Sequence, residues 1–86
     1  MQIKRIQWDI DAWEEYCQWQ QTNKAVLKRI NALIKDMERS PFEGIGKPLK
    51  ENLSGFWSRR INDKHRIIYA VEKETVVIIA CRGHYN

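Results

Sequence analysis

Across residues 24–38 the apolar side chains Val26, Ile30, Leu33 and Met37 recur three and four positions apart, with Leu27 and Ile34 beside them. Lys28, Arg29, Lys35 and Asp36 fill the other side, so the segment predicts an amphipathic helix with one buried stripe. Ser40-Pro41 stops it. A helix before it has Ala12, Trp13, Tyr16, Cys17 and Trp19 on its apolar side. It opens at Asp9 or at Asp11, where Glu14 three residues on would complete a capping box. Thr22-Asn23 breaks that helix and caps the next. Residues 2–8 alternate loosely enough for a short first strand. Residues 42–55, with three of the four glycines and Pro48, read as one long loop. Three strands follow over residues 56–61, 65–71 and 75–82, joined by three-residue loops at Asn62-Asp63-Lys64 and Glu72-Lys73-Glu74.

Those loop lengths set a register. Ile61 then pairs with His65 and Val71 with Thr75, which puts Trp57, Ile61, Ile67, Tyr69, Val71, Val77, Ile79 and Cys81 on the face that packs on the helices. The opposite face receives Ser58, Arg60, Arg66, Ile68, Ala70, Val76, Ile78, Ala80, Arg82 and His84, so one end of it is cationic. Arg60 and Arg66 become direct cross-strand neighbours. Like charges so placed repel, and the pair makes sense if an anion sits between them; the plainer alternative is that both are satisfied by Asp63, Glu51 or solvent.

With 86 residues and 43% hydrophobic content, the chain predicts one domain, residues 1–86, around a single core, and a two-domain enzyme is excluded. Its longest apolar run, Val76 to Cys81, is far short of the roughly 20 residues of a membrane-spanning helix. Met1-Gln2-Ile3-Lys4-Arg5 lacks the apolar stretch of a secretory signal, so a soluble cytoplasmic protein with no membrane partner is expected. Cys17 and Cys81 are expected to be buried free thiols. Two Cys and two His are too few for a structural zinc site, and no metal or other cofactor is expected.

Charge placement says more than the total of +4. Residues 1–46 balance seven basic against seven acidic side chains, whereas residues 47–86 carry eight basic (Lys47, Lys50, Arg59, Arg60, Lys64, Arg66, Lys73, Arg82) against four acidic. That asymmetry points to an anionic partner, nucleic acid being the commonest polymer of that kind. The parts also fit phosphoryl chemistry on RNA. When the ribose 2′-hydroxyl attacks its own 3′-phosphate without metal help, it needs a base, cations for the added negative charge, and an acid for the departing 5′-oxygen. Arginine grips two phosphate oxygens and keeps its proton. Histidine, with an ordinary pKa of about 6.5, can deliver one near neutrality. Composition alone favours a simple nucleic-acid-binding module over a nuclease.

Motifs along nearly the whole chain change that balance. Trp13-Glu14-Glu15-Tyr16, Ile30-Asn31-Ala32-Leu33-Ile34-Lys35-Asp36, Pro41-Phe42-Glu43-Gly44, Leu53-Ser54-Gly55-Phe56-Trp57-Ser58-Arg59-Arg60-Ile61, His65-Arg66-Ile67-Ile68-Tyr69-Ala70-Val71 and Cys81-Arg82-Gly83-His84-Tyr85 resemble the YoeB toxins of the RelE superfamily. The resemblance implies a microbial-RNase-like α+β fold, two N-terminal helices on one face of a mainly antiparallel twisted sheet. It implies the toxin of a type II toxin–antitoxin system that enters the ribosomal A site and cuts messenger RNA. The implied partners are a YefM-like antitoxin, the ribosome with its mRNA, operator DNA through the antitoxin complex, and a second copy in a homodimer.

By the same resemblance Arg66 would stabilise the transition-state phosphate, a task worth about 3 kcal/mol per well-placed donor. Arg60 and Lys50 would bind flanking phosphates, His84 would be the general acid, and Tyr85 would orient substrate or stack on a base. Lys47 is a candidate for backbone contact. Arg82 could touch RNA or brace Glu72 or Glu74. His65, on the helix-facing side of its strand, reads as structural, and the four Trp read as core or antitoxin-contacting surface.

One departure stands out. YoeB-like chains commonly read Gly-Lys-Pro-Glu-Pro-Leu-Lys in the long loop, the glutamate being the general base, whereas this chain reads Gly46-Lys47-Pro48-Leu49-Lys50. Loss of a general base should slow chemistry by roughly 10² to 10⁴. Glu51 or Glu43 could replace it, Lys50 or Lys47 could serve with a lowered pKa, or the chain is an attenuated toxin acting through antitoxin binding and autoregulation. A ParE-like gyrase inhibitor is a further alternative; His84-Tyr85 beside Arg66 argues against it.

Overall fold

The computed structural model describes residues 2–42 and 55–83 together with the backbone of 47–48. These form β1 (Arg5–Trp8), α1 (Ile10–Thr22), α2 (Lys24–Arg39), β2 (Lys47–Pro48), β3 (Phe56–Arg60), β4 (Arg66–Glu72) and β5 (Thr75–Ala80). Among the described residues the strands make one mixed sheet in the order β1-β5-β4-β3-β2, with β1 parallel to β5 and the other pairs antiparallel. Both helices lie on one face, the α+β arrangement expected.

The stripe read in α2 is the core: Val26, Ile30, Leu33 and Met37 are buried against Ala12, Ile61, Ile67, Tyr69, Val76, Ile78 and Cys81. Burying each large aliphatic side chain contributes about 1.5–3 kcal/mol. Asn23 joins the helices by serving both. Its N–H donates to the Trp19 carbonyl at 3.0 Å, while its Oδ1 accepts from the N–H groups of Ala25 and Val26 at 3.1 and 3.2 Å.

The capping box at Asp11 and Glu14 does not form. Asp9 is the N-cap and makes no side-chain capping bond; its N–H donates to the Ile78 carbonyl at 2.9 Å and its own carbonyl accepts from the Trp13 N–H. The helix thus starts directly off the β1–β5 ladder, and Asp11 sits in the first turn, where its charge favours the helix N-terminus. Residues 42–55 are not all loop either: Lys47 pairs with Ser58 and Pro48 with Trp57, adding β2 as an edge strand, a position a proline tolerates.

The first hairpin has the expected register, with Arg60 opposite Arg66. The second does not. Glu72 pairs with Thr75 across the two-residue turn Lys73-Glu74, with Lys73 at φ 55°, rather than Val71 with Thr75. That slip of one residue turns Val76 and Ile78 toward the helices. Ile79 and Ala80 pack instead with Ile68 and Phe56 in a small second cluster. A bulge near Ile68/Tyr69 then shifts the pairing once more, and Cys81 returns to the helix face. Cys81 is buried as expected, but Cys17 is only half-buried.

Candidate functional site: the basic hairpin end and the exit of the last strand

The β3–β4 turn is built by Asn62, whose Oδ1 accepts from the N–H groups of Lys64 and His65, each at 2.9 Å. Ile61 N–H donates to the His65 carbonyl at 3.0 Å and closes the hairpin. This geometry fixes Arg60 and Arg66 side by side, and each guanidinium is satisfied differently. Arg60 pairs with Asp63 in an exposed ion pair, an arrangement worth at most about 1 kcal/mol in water. Arg66 Nη1 donates to two turn carbonyls, of Asn62 at 2.5 Å and of His65 at 3.0 Å. Its charge meets no carboxylate among the described residues. A half-exposed guanidinium held only by neutral carbonyls keeps its full attraction for an anion.

Beyond β5 the chain runs through Cys81-Arg82-Gly83, and side chains grip its backbone. Glu15 Oε1 accepts the Cys81 N–H at 2.8 Å, and Trp19 Nε1–H donates to the Cys81 carbonyl at 3.0 Å. Gly83, at φ 91°, gives its N–H to His65 Nδ1 at 2.9 Å and accepts the backbone N–H of Arg66 at 2.8 Å. The residue that immediately precedes His84 is therefore fastened to the residue that carries the carbonyl-held guanidinium.

Two pKa directions follow from this packing. Burial, followed by the nearby cations Arg82 and Lys64, holds the His65 imidazole below its ordinary range, against an opposing pull from Glu15. Burial, aided by the Glu15 carboxylate, pushes the Cys81 thiol up to about 12. The Cys81 thiol donates to the Ala12 carbonyl at 3.6 Å and acts as a small apolar filler rather than a nucleophile.

Arg82 lies elsewhere than expected. It neither shares the face of Arg60 and Arg66 nor braces Glu72 or Glu74. Its Nη1 donates to Gln18 Oε1 at 3.0 Å and its guanidinium lies 6.0 Å from the Trp19 ring, on the α1 side. The β4–β5 bulge and the early end of β5 cause this, because Arg82 no longer continues the strand's alternation. Lys47 stands opposite Ser58, two residues along β3 from Arg60. Lys50, Glu43, Glu51, His84 and Tyr85 lie outside the described residues.

Arg59 belongs to a different structure. It is 2% exposed, donates through Nε to Tyr69 Oη at 3.1 Å and through Nη2 to the Ser40 carbonyl, while Tyr69 Oη donates to the Pro41 carbonyl at 2.8 Å. This buried network holds the chain where it leaves α2, so one of the eight basic residues of the second half is structural. On the other side, Trp8, Trp13 and Tyr16 form a ring cluster with centroids 4.7–5.8 Å apart, and Trp13 and Ile10 are 44% and 70% exposed. His65 is structural, as its place on the strand led one to expect, but the backbone partners of Glu15, Trp19 and His65 had no signal in the sequence, since each acts on residues distant along the chain.

Two helices on one face of a mixed sheet, with a basic hairpin end beside the exit of the last strand, is an architecture found among small bacterial toxins. The family model for YoeB-like toxin of bacterial type II toxin-antitoxin system matches residues 8–85. Toxin YoeB of Escherichia coli strain K12 is 54% identical over 83 residues, covering 94% of this chain and 99% of the relative. Among solved structures, a YoeB/ParE toxin from Agrobacterium tumefaciens superposes with a TM-score of 0.92 at 37% identity, covering 95% of this chain and all of that one. The toxin of a YoeB-YefM complex from Staphylococcus aureus superposes with a TM-score of 0.86 at 40% identity, covering 99% of this chain and all of that one. The chain belongs to the YoeB family of type II toxin–antitoxin toxins.

Proposed function

We propose that this toxin is a ribosome-dependent endoribonuclease that cuts messenger RNA in the A site through attack of a ribose 2′-hydroxyl on the adjoining phosphate. One observation carries the reading: the backbone N–H of Arg66 donates to the Gly83 carbonyl, tying the attachment point of His84 to the strand that bears Arg66. In the reaction the 2′-hydroxyl gives its proton to a base, for which Lys50, Lys47, Glu51 and Glu43 are the candidates, the 2′-oxygen bonds to phosphorus, the bond to the 5′-oxygen breaks, and a 2′,3′-cyclic phosphate remains. Arg66 neutralises the charge gathering on the phosphoryl oxygens, and its carbonyl partners are weak enough to be exchanged for a phosphate. Arg60 and Lys50 hold flanking phosphates, with Lys47 as a further backbone contact. His84 donates the proton that leaves with the 5′-oxygen, and Tyr85 orients the nucleotide. The YefM-like antitoxin is the partner that silences the toxin, in keeping with the related YoeB-YefM complex.

A second reading rests on the loop sequence Gly46-Lys47-Pro48-Leu49-Lys50, which holds no glutamate where the resemblance to YoeB-like chains leads one to expect the general base. It makes the chain an attenuated toxin that binds antitoxin and ribosome with slow chemistry. Primer extension on mRNA in a purified translation system separates the two. Cuts within A-site codons that vanish with Arg66→Ala or His84→Ala support the nuclease; intact mRNA alongside tight antitoxin binding supports attenuation.

A further inference from the structure

We propose that His65 is a positioning residue for the cleavage reaction: its neutral imidazole, with Nδ1 as acceptor, holds the Gly83 N–H and so fixes the backbone from which His84 departs beside Arg66. The inference rests on the nuclease reading above.

The argument begins with what a strand loses when it ends. β5 stops at Ala80, and past that point the regular β4–β5 ladder gives way to separate bonds at the polar backbone groups of residues 81–83. Within this protein four of those groups are met one by one: Cys81 N–H by Glu15, Cys81 C=O by Trp19, Gly83 N–H by His65 and Gly83 C=O by the Arg66 backbone. Three of the four partners are side chains. Gly83 also sits at φ 91°, a conformation outside the continuing β ladder, so its neighbour's direction is set by these bonds rather than by the sheet.

Of the three side chains, His65 acts nearest to His84. Its ring is itself seated, packed edge-on against Trp19 with centroids 4.8 Å apart, and its backbone N–H is held by Asn62 Oδ1. A bond accepted at Nδ1 requires that the ring proton be on Nε2. Protonation would place an N–H at Nδ1 facing the Gly83 N–H, two donors head to head, and the bond would be lost. The charged groups facing the ring are Arg82 and Lys64, which oppose protonation, and Glu15 on α1, which favours it. Burial first, and then the two cations, disfavour the imidazolium, so the neutral acceptor form is the resting one near pH 7. This gives the toxin an acid limb in its pH profile that belongs to a residue outside the chemistry.

The test combines two variants with a direct view of the bond. His65→Leu removes the acceptor, while His65→Asn keeps an oxygen near the position of Nδ1 that cannot be protonated. Single-turnover cleavage of ribosome-bound mRNA should fall about 10²-fold in kcat with His65→Leu, with KM within twofold of wild type, since a displacement of about 1 Å costs that much. His65→Asn should recover most of that loss and flatten the acid limb. Nitrogen-15 spectra of the full chain should show the Nε2–H tautomer at pH 7.5 and a Gly83 amide whose protection from exchange disappears as the His65 ring titrates. An Nδ1–H tautomer, Gly83 protection that is indifferent to that titration, or wild-type kcat in a folded His65→Leu would each overturn the proposal. Wild-type protein that cuts no mRNA at any pH would overturn the nuclease reading and the catalytic purpose of the bond with it, whereas the spectra decide separately whether His65 holds Gly83.

Discussion

Arg60 stands directly across from Arg66 on adjacent antiparallel strands, and among the described residues Arg60 has a carboxylate beside it, that of Asp63, while Arg66 has none. The described residues leave Arg66 to the carbonyls of Asn62 and His65. Those bonds are made and released at little cost in an accessible site, which suits the proposed role of Arg66 in receiving a phosphate. Arg66→Ala should leave the fold intact and lower mRNA cleavage by about 10²–10³. Arg60→Ala should weaken RNA binding with a smaller effect on the chemical step. Single-turnover rates against toxin concentration separate the two effects, and equal effects on rate and binding for both variants would count against this division of labour.

The thiols should differ sharply in reactivity. Cys81 is buried, hydrogen-bonded to the Ala12 carbonyl and pushed up to about 12, so almost none of it is thiolate at pH 8. Cys17 is half-buried on α1. Iodoacetamide at pH 8 followed by mass spectrometry should modify Cys17 first and Cys81 only in denaturant; early labelling of Cys81 in the native protein would contradict the packing at the exit of β5.

Stability should carry the mark of His65. The unfolded chain binds a proton near pH 6.5, but the folded imidazole binds it only at lower pH, because burial and then Arg82 and Lys64 disfavour the cation. In the interval the unfolded state holds more protons, so stability falls as pH drops through it and levels off below the folded pKa. Urea midpoints measured between pH 7.5 and 5 should fall further for wild type than for His65→Asn. Parallel declines would show that the ring is not held neutral.

Removing one hydroxyl tests the buried network. Tyr69→Phe deletes an acceptor for Arg59 and a donor to the Pro41 carbonyl, both buried. The expected loss is about 1–3 kcal/mol, read as a fall in Tm of several degrees for a domain of this size. An unchanged Tm would mean that the exit of α2 is secured by other contacts.

How much of this the amino acids disclosed depended on contrast between neighbours. Val26, Ile30, Leu33 and Met37 stood out because charged residues separate them, and all four are core. The first hairpin was readable for the same reason: Arg60 and Arg66 alternate with Ile61 and Ile67, so only one register buries the isoleucines. The second hairpin offered no such contrast. Val76 to Cys81 is apolar at every position: β5 is an inner strand with β1 and β4 at its two edges, Val76, Ile78 and Cys81 join the helix-side core, and Ile79 and Ala80 pack with Ile68 and Phe56, so the run has no polar phase. Its turn also depends on Lys73 adopting φ 55°, which no glycine announces. The side-chain grip on residues 81–83 was beyond reach, since Glu15 and Trp19 meet Cys81 across 66 and 62 positions and act on backbone atoms common to every residue. Arg59 shows the opposite hazard: its place in a basic run hid a buried role.

The 2′-hydroxyl nucleophile is the centre of the functional account, and a messenger RNA that lacks it at one nucleotide tests it directly. The message is made with a single 2′-deoxy residue on the 5′ side of the A-site cut, loaded on ribosomes and mixed with the toxin. The account predicts that this message stays intact while its all-ribose twin is cut and ends in a 2′,3′-cyclic phosphate. Cleavage of the deoxy message at an undiminished rate would contradict it.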